Sequence, residues 1–169
     1  MNVLQCVEQL ATRFEQADLF YGHGTDNPWD EAVYLVFTVL GVAFEQDLQD
    51  SSATDGLVTR EIGVSELTTI QTLAEQRIQE RVPIAYLVHQ AWFAGLPFYV
   101  DERVLVPRSP IAELILSQFE PLLSTPPKRV LDLCTGSGCI GIATVLGVPR
   151  PRQVDSGGYL RRCIDCCAA

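Results

Sequence analysis

The chain has 169 residues, 47% of them hydrophobic, with a mean hydropathy of +0.15, so packed cores are expected and a disordered coil is excluded. Its 12 Lys and Arg stand against 21 Asp and Glu, a net charge of -9 that repels phosphate backbones and anionic membranes, argues against nonspecific nucleic-acid binding, so that no direct nucleic-acid binding is expected, and suits a basic partner. No apolar run approaches the ~20 residues of a bilayer span, and Met1–Cys6 leads into acidic positions rather than a signal pattern, so a cytoplasmic protein without membrane attachment is expected.

From Val3 onward, Val7, Leu10, Phe14 and Ala17 recur every three or four residues, predicting a helix that packs through one stripe. Tyr21 to Pro28 reads as a loop, with Asn27 the cap of a strongly apolar helix over Pro28 to Phe44. Gln46 to Gly63 is a polar connection. Ser65 then opens a third helix, with Leu67, Ile70, Leu73, Ala74 and Ile78 on one face, stopped by Pro83. Three such helices make residues 1–83 a small helical domain.

Residues 84–110 are read as a hairpin and linker. Tyr86, Leu87, Val88, Trp92 and Phe93 are β-type, Gly95-Leu96-Pro97 supplies the turn, and Phe98, Tyr99 and Val100 return. Val104 to Pro110 is extended, and Ser109 caps a helix beginning at Pro110 and running to Phe119. After a proline-rich break, Arg129-Val130-Leu131-Asp132-Leu133 suits a buried parallel strand.

That strand leads into Cys134-Thr135-Gly136-Ser137-Gly138-Cys139-Ile140-Gly141, followed by residues able to open a helix. Strand, glycine turn and helix form a context for close backbone approach to a ligand, and Asp132 places a carboxylate four residues before Gly136. Such an acid can attract the ammonium of a methionine moiety, directly or through water. A nicotinamide or flavin site, or a turn of purely structural value, satisfies the same residues.

The wider order of motifs narrows the choice. Arg81-Val82-Pro83-Ile84-Ala85-Tyr86-Leu87, Trp92-Phe93 with Leu96-Pro97-Phe98-Tyr99-Val100, Arg103 to Arg108, and the stretch from Asp132 to Ala143 resemble, in that order, the HemK-like protein-glutamine methyltransferases. Tyr21 to Ala32 and Arg108-Ser109-Pro110-Ile111-Ala112-Glu113 are similar to the branch acting on large-subunit ribosomal protein three; the release-factor branch is the alternative. The resemblance spans residues 1 to about 143. It implies an α/β protein: a helical substrate-recognition domain, a hairpin linker, and the start, over 111–143, of a Rossmann-like class I methyltransferase domain. It further implies S-adenosylmethionine as cofactor, held by Asp132, Leu133, Cys134, Thr135, Gly136, Ser137, Gly138 and Gly141, and a large-subunit ribosomal protein as substrate. The family grips the glutamine amide with an Asn-Pro-Pro-Tyr motif that this sequence does not contain.

Beyond Ala143 the resemblance ends. Gly147 and Pro149 are expected to stop the helix after about two turns, and 144–169 is expected to be an aberrant, disordered tail produced by a frameshift, with Val154-Asp155 too cramped for a second strand. On that reading the polypeptide is an inactive fragment of an enzyme family, or a non-catalytic protein-binding domain. Cys163 and Cys166 have CxxC spacing but no companion pair, so no metal site is expected. His23 is read as a loop residue, His89 as a solvent-facing strand residue, and Trp29, Trp92 and Phe93 as packing aromatics.

Overall fold

The computed structural model describes residues 1–22, 24–43, 55–125, 127–147 and 153–157. They fall into two compact units, Met1–Val88 and a second beginning at His89.

In the first unit α1 (Val3–Gln16) starts on a reciprocal cap: Gln5 N donates to Asn2 Oδ1 at 2.9 Å, and Asn2 N donates to Gln5 Oε1 at 3.1 Å. The expected stripe is buried through Val3, Val7, Leu10 and Phe14, with Cys6 added. In α2 (Pro28–Leu40) Asn27 Oδ1 accepts from Asp30 N at 2.9 Å, leaving Pro28 in the first turn where its missing N–H costs nothing. The helix ends earlier than the expected Phe44. Gly41 enters the left-handed region (φ 63°), Gly41 N donates to Thr38 O and Val42 N to Phe37 O, a Schellman closure that satisfies the last carbonyls. We expect Asn27→Ala to destabilise the first unit by about 1 kcal/mol; faster amide exchange confined to the first turn of α2 is the readout, and unchanged exchange there would count against the cap.

A single turn, α3 (Asp55–Val58), precedes α4 (Val64–Gln79), whose start is held by Gly63 N donating to Glu66 Oε2 at 2.8 Å. Ile70 and Ala74 are buried as expected. The helix ends at Gln79 and the chain turns through Arg81 (φ 61°) before it reaches Pro83. Phe14, Leu35, Phe37 and Ile70, all fully buried, form the centre of the core shared by α1, α2 and α4. Trp29 packs at its margin.

Residues 86–88 are not strand. Pro83 presets the backbone for a short helix, α5 (Ile84–Leu87), in which Tyr86 N donates to Pro83 O and Val88 N to Ile84 O, so local hydrogen bonding overrides the β-type side chains.

The second unit opens on a hairpin of β1 (Ala91–Phe93) and β2 (Leu96–Phe98), with Ala91 opposite Phe98 and Phe93 opposite Leu96. Its turn is Ala94-Gly95, not Gly95-Leu96-Pro97. Both residues have positive φ (49° and 76°), as a two-residue turn matching the strand twist requires, and this places Leu96 and Pro97 in the returning strand. Phe93 and Phe98 are buried, whereas Trp92 lies on the outer face at 40% exposure and is not a core aromatic. His89, also expected in a strand, is an exposed residue with φ 54° whose ring stacks on Tyr99 at 5.4 Å.

The next helix, α6 (Ile111–Leu116), is shorter than the expected Pro110–Phe119. Ile111 N donates to Ser109 Oγ at 3.2 Å, and left-handed Gln118 and Phe119 end the helical path. β3 (Arg129–Leu133) has the expected bounds, and α7 (Cys139–Gly147) follows it and ends at Gly147 as anticipated. A Cβ at Gly147 would stand 2.8 Å from Ile115 Cγ2, so α6 and α7 approach too closely for any larger residue there. Ile115, Cys139 and Ala143 join Phe93 and Phe98 in the core of this unit.

Two sequence expectations are corrected here. Gln153–Gly157 forms a strand, β4, that pairs in parallel with β3 over its whole length, Arg129 opposite Gln153 and Leu133 opposite Gly157. Residues 144–147 continue α7. The polar flanks that argued against a strand are overridden by backbone pairing to β3, which requires no apolar side chain of its own. Second, β3 is not buried on both faces: Leu131 and Leu133 are 63% and 68% exposed, and only Asp132, on the opposite face toward α7, is buried. The described architecture is thus mixed helix and strand, with an antiparallel pair and a parallel pair.

Candidate functional site

The residues that the resemblance implies for a cofactor, Asp132 to Gly138 and Gly141, lie on β3, the loop Cys134–Gly138 and the start of α7. The loop alternates into the left-handed region at Cys134 (φ 59°), Gly136 (φ 56°) and Gly138 (φ 79°). Two of these positions carry the residue that tolerates it without strain. Cys134 does not, and its exposed, unpaired thiol occupies a backbone conformation that non-glycine residues seldom adopt.

Asp132 is the organising group. Its carboxylate, 7% exposed, accepts from Thr135 Oγ1 at 2.7 Å and from Gly141 N at 3.1 Å, both through Oδ2. Thr135 is itself 5% exposed. The strand end, the loop and the first turn of the helix are therefore tied to one carboxylate, whose negative charge also faces the positive end of the α7 dipole. Gly138 closes the arrangement: its N–H donates to Thr135 O at 2.9 Å and its carbonyl accepts from Ile142 N at 3.0 Å. Sequence reasoning named Asp132 and Thr135 but missed that they bind each other. The three-residue spacing across a strand-to-loop bend was the available signal.

Ser137 is buried beside Cys139, and burial pushes the Cys139 thiol upward, against an opposing hydrogen bond from Ser137. The Cys139 sulfur is thus an inert packing group in the core rather than a nucleophile. Gly136 presents the contrary environment. A Cβ placed there would meet no heavy atom within 4 Å, so the loop backbone faces open space and a ligand can lie directly against it. Gly141 is buried in the first turn of α7, where its amide is already used by Asp132, and Leu133 is exposed on the far face of the strand.

Among the described residues no group of three or more His, Cys, Asp and Glu could hold a metal, and no helix is long and apolar enough to cross a membrane. His23 and the Cys163–Cys166 pair lie outside the described residues.

The corner is thus a parallel strand-helix-strand unit in which an acid at the end of the first strand braces a glycine-rich loop whose backbone is open at Gly136. No family model matches the chain. Curated proteins do, and two of them, to which this chain is homologous, are protein methyltransferases by name. One, the ribosomal protein uL3 glutamine methyltransferase of Burkholderia pseudomallei (strain K96243), is 41% identical over 150 residues, 88% of this chain and 47% of the relative. The other, of the same name, from Xylella fastidiosa (strain Temecula1 / ATCC 700964), is 46% identical over 143 residues, 84% of this chain and 44% of the relative. The chain spans about half the length of the curated relatives it matches.

Proposed function

We propose that the corner of β3, Cys134–Gly138 and α7 is the methionine-side half of an S-adenosylmethionine site in a Rossmann-like domain, and that the enzyme built on it methylates a glutamine amide of ribosomal protein uL3. The observation that carries this reading is the open backbone at Gly136 beside a carboxylate that braces strand, loop and helix, in a chain 41–46% identical to proteins of that name. When bound, the cofactor supplies an electrophilic methyl group. The protein's part at this corner is positioning: Gly136 and Gly138 admit the ligand to backbone contact, and Asp132 supplies negative charge behind the loop to favour an ammonium.

The same reading assigns no amide-gripping group to this sequence, because Asn-Pro-Pro-Tyr does not occur among its 169 residues. Transfer to uL3 by this polypeptide alone is therefore expected to be absent, and cofactor affinity too weak for radiolabel retention. Nuclear magnetic resonance titration at millimolar concentration is the suitable test. S-adenosylmethionine is expected to shift the amides of Gly136 and Gly138, and a nicotinamide dinucleotide is not. The reverse pattern would reassign the corner to a dinucleotide, and labelled uL3 from this chain alone would overturn the reading of inactivity.

A further inference from the structure

The first unit carries a second feature that the cofactor corner does not use. Thr38 and Val39 of α2, Ser65, Glu66, Thr69 and Leu73 of α4, and Val88 line an open groove of about 340 Å³. Its lining mixes the aliphatic side chains of Val39, Leu73 and Val88 with the hydroxyl residues Ser65 and Thr69 and the Glu66 carboxylate. Thr38 Oγ1, in the last turn of α2, is buried with no hydrogen-bond partner among the described residues, although a helical threonine can bond the carbonyl one turn back. Thr68, Thr69 and Thr72 of α4 do make that bond.

The electrostatic setting is one-sided. Met1–Val88 holds 14 of the 21 acidic residues and only 4 of the 12 Lys and Arg. Glu66 is spoken for on each oxygen, by Gly63 N at 2.8 Å and by Arg60 Nη2 at 3.2 Å, but each oxygen keeps a second lone pair, and the Arg60 contact is a solvent-exposed pair of little strength.

We propose that this groove docks a lysine side chain from a basic segment of the protein substrate, a role that rests on the reading of the chain as part of a protein-modifying enzyme. A lysine suits such a mixed lining. Its four-carbon stem packs on aliphatic side chains such as Val39, Leu73 and Val88, and its ammonium, which only donates, needs acceptors of the kind that Ser65, Thr69 and Glu66 supply. An arginine fork needs both oxygens of one carboxylate together, and on Glu66 each oxygen already accepts one hydrogen bond, whereas an ammonium can use a single remaining lone pair or a lone hydroxyl.

The test uses the purified chain and an amidated tetralysine peptide, with tetra-arginine and tetra-norleucine peptides as comparators, followed by nuclear magnetic resonance. The expected result is tetralysine-induced shifts concentrated at Val39, Thr69 and Leu73. Thr69→Lys should weaken binding about tenfold, the factor that loss of one charge-assisted contact produces. Thr12→Lys, which makes the same charge change on α1 outside the groove, should leave it nearly unchanged. Equal weakening by both variants, or shifts spread over the acidic surface, would reduce the binding to nonspecific attraction and overturn the proposal. Stronger binding of tetra-arginine or tetra-norleucine would overturn it as well. Because the readout needs no cofactor, its failure leaves the S-adenosylmethionine titration untouched, and the two readings fail separately.

Discussion

Replacing Arg77 with Met is expected to destabilise the first unit by about 3–5 kcal/mol, the range found when one partner of a buried ion pair is removed. Arg77 is 3% exposed, donates from Nε to Glu31 Oε2 at 3.1 Å, and from Nη2 to Phe20 O at 2.9 Å. Methionine fills similar volume but leaves Glu31, also 3% exposed, with its charge uncompensated. Burial already pushes the Glu31 carboxyl above its ordinary range, against the opposing pull of Arg77. An acid raised in this way keeps its proton in the folded state at pH values where the unfolded chain has released it. Its stabilising contribution is therefore complete below the unfolded value and is lost as pH rises through the folded one. Without Arg77 the folded value climbs further, so the deficit of the variant relative to the parent should be smallest at about pH 4 and grow toward neutrality. Amide exchange of the α2 and α4 cores at several pH values measures it. A deficit that does not vary with pH would show that lost packing, and not the stranded carboxylate, is responsible. Glu31→Gln combined with Arg77→Met should recover much of the loss.

Asp132→Ala is expected to cost about 2–4 kcal/mol locally, because two buried donors, the Thr135 hydroxyl and the Gly141 amide, lose their acceptor together. Exchange at Gly141 and Ile142 should accelerate while the first unit is unaffected. Asp132→Asn separates bracing from charge. Its carbonyl can still accept from Gly141 N, so most of the protection should return, yet the negative charge proposed to favour the cofactor's ammonium is gone. Recovery of both protection and the S-adenosylmethionine response in the asparagine variant would confine Asp132 to a structural role.

The glycine-rich corner at β3 was legible because it is local. Acid, glycines and following helix sit within ten residues, and φ preferences restrict what such a run can do. The helical stripes of α1 and α4 were readable for the same reason, since a period near 3.6 reports burial without knowledge of the partner. Arg77 was the exception. It lies on the buried stripe of α4, but its partner Glu31 is 46 residues away, and no periodicity announces a pairing across that distance. Tyr86 and Leu87 misled because β propensity reflects packing on a sheet, and no sheet was there to receive them.

By itself, then, the order of residues determined the buried stripes of α1 and α4, the cap of α2, which stretch forms the glycine-rich corner, and which relatives the chain resembles, because caps, turns and periodic stripes are written within a few neighbours. Only the tertiary structure decided that Gln153–Gly157 pairs with β3, that Leu131 and Leu133 face outward, that Glu31 meets Arg77, and that a groove opens between α2 and α4. Each of these depends on which distant segment reaches a given surface first, a contest between backbone pairing and burial that no local window contains.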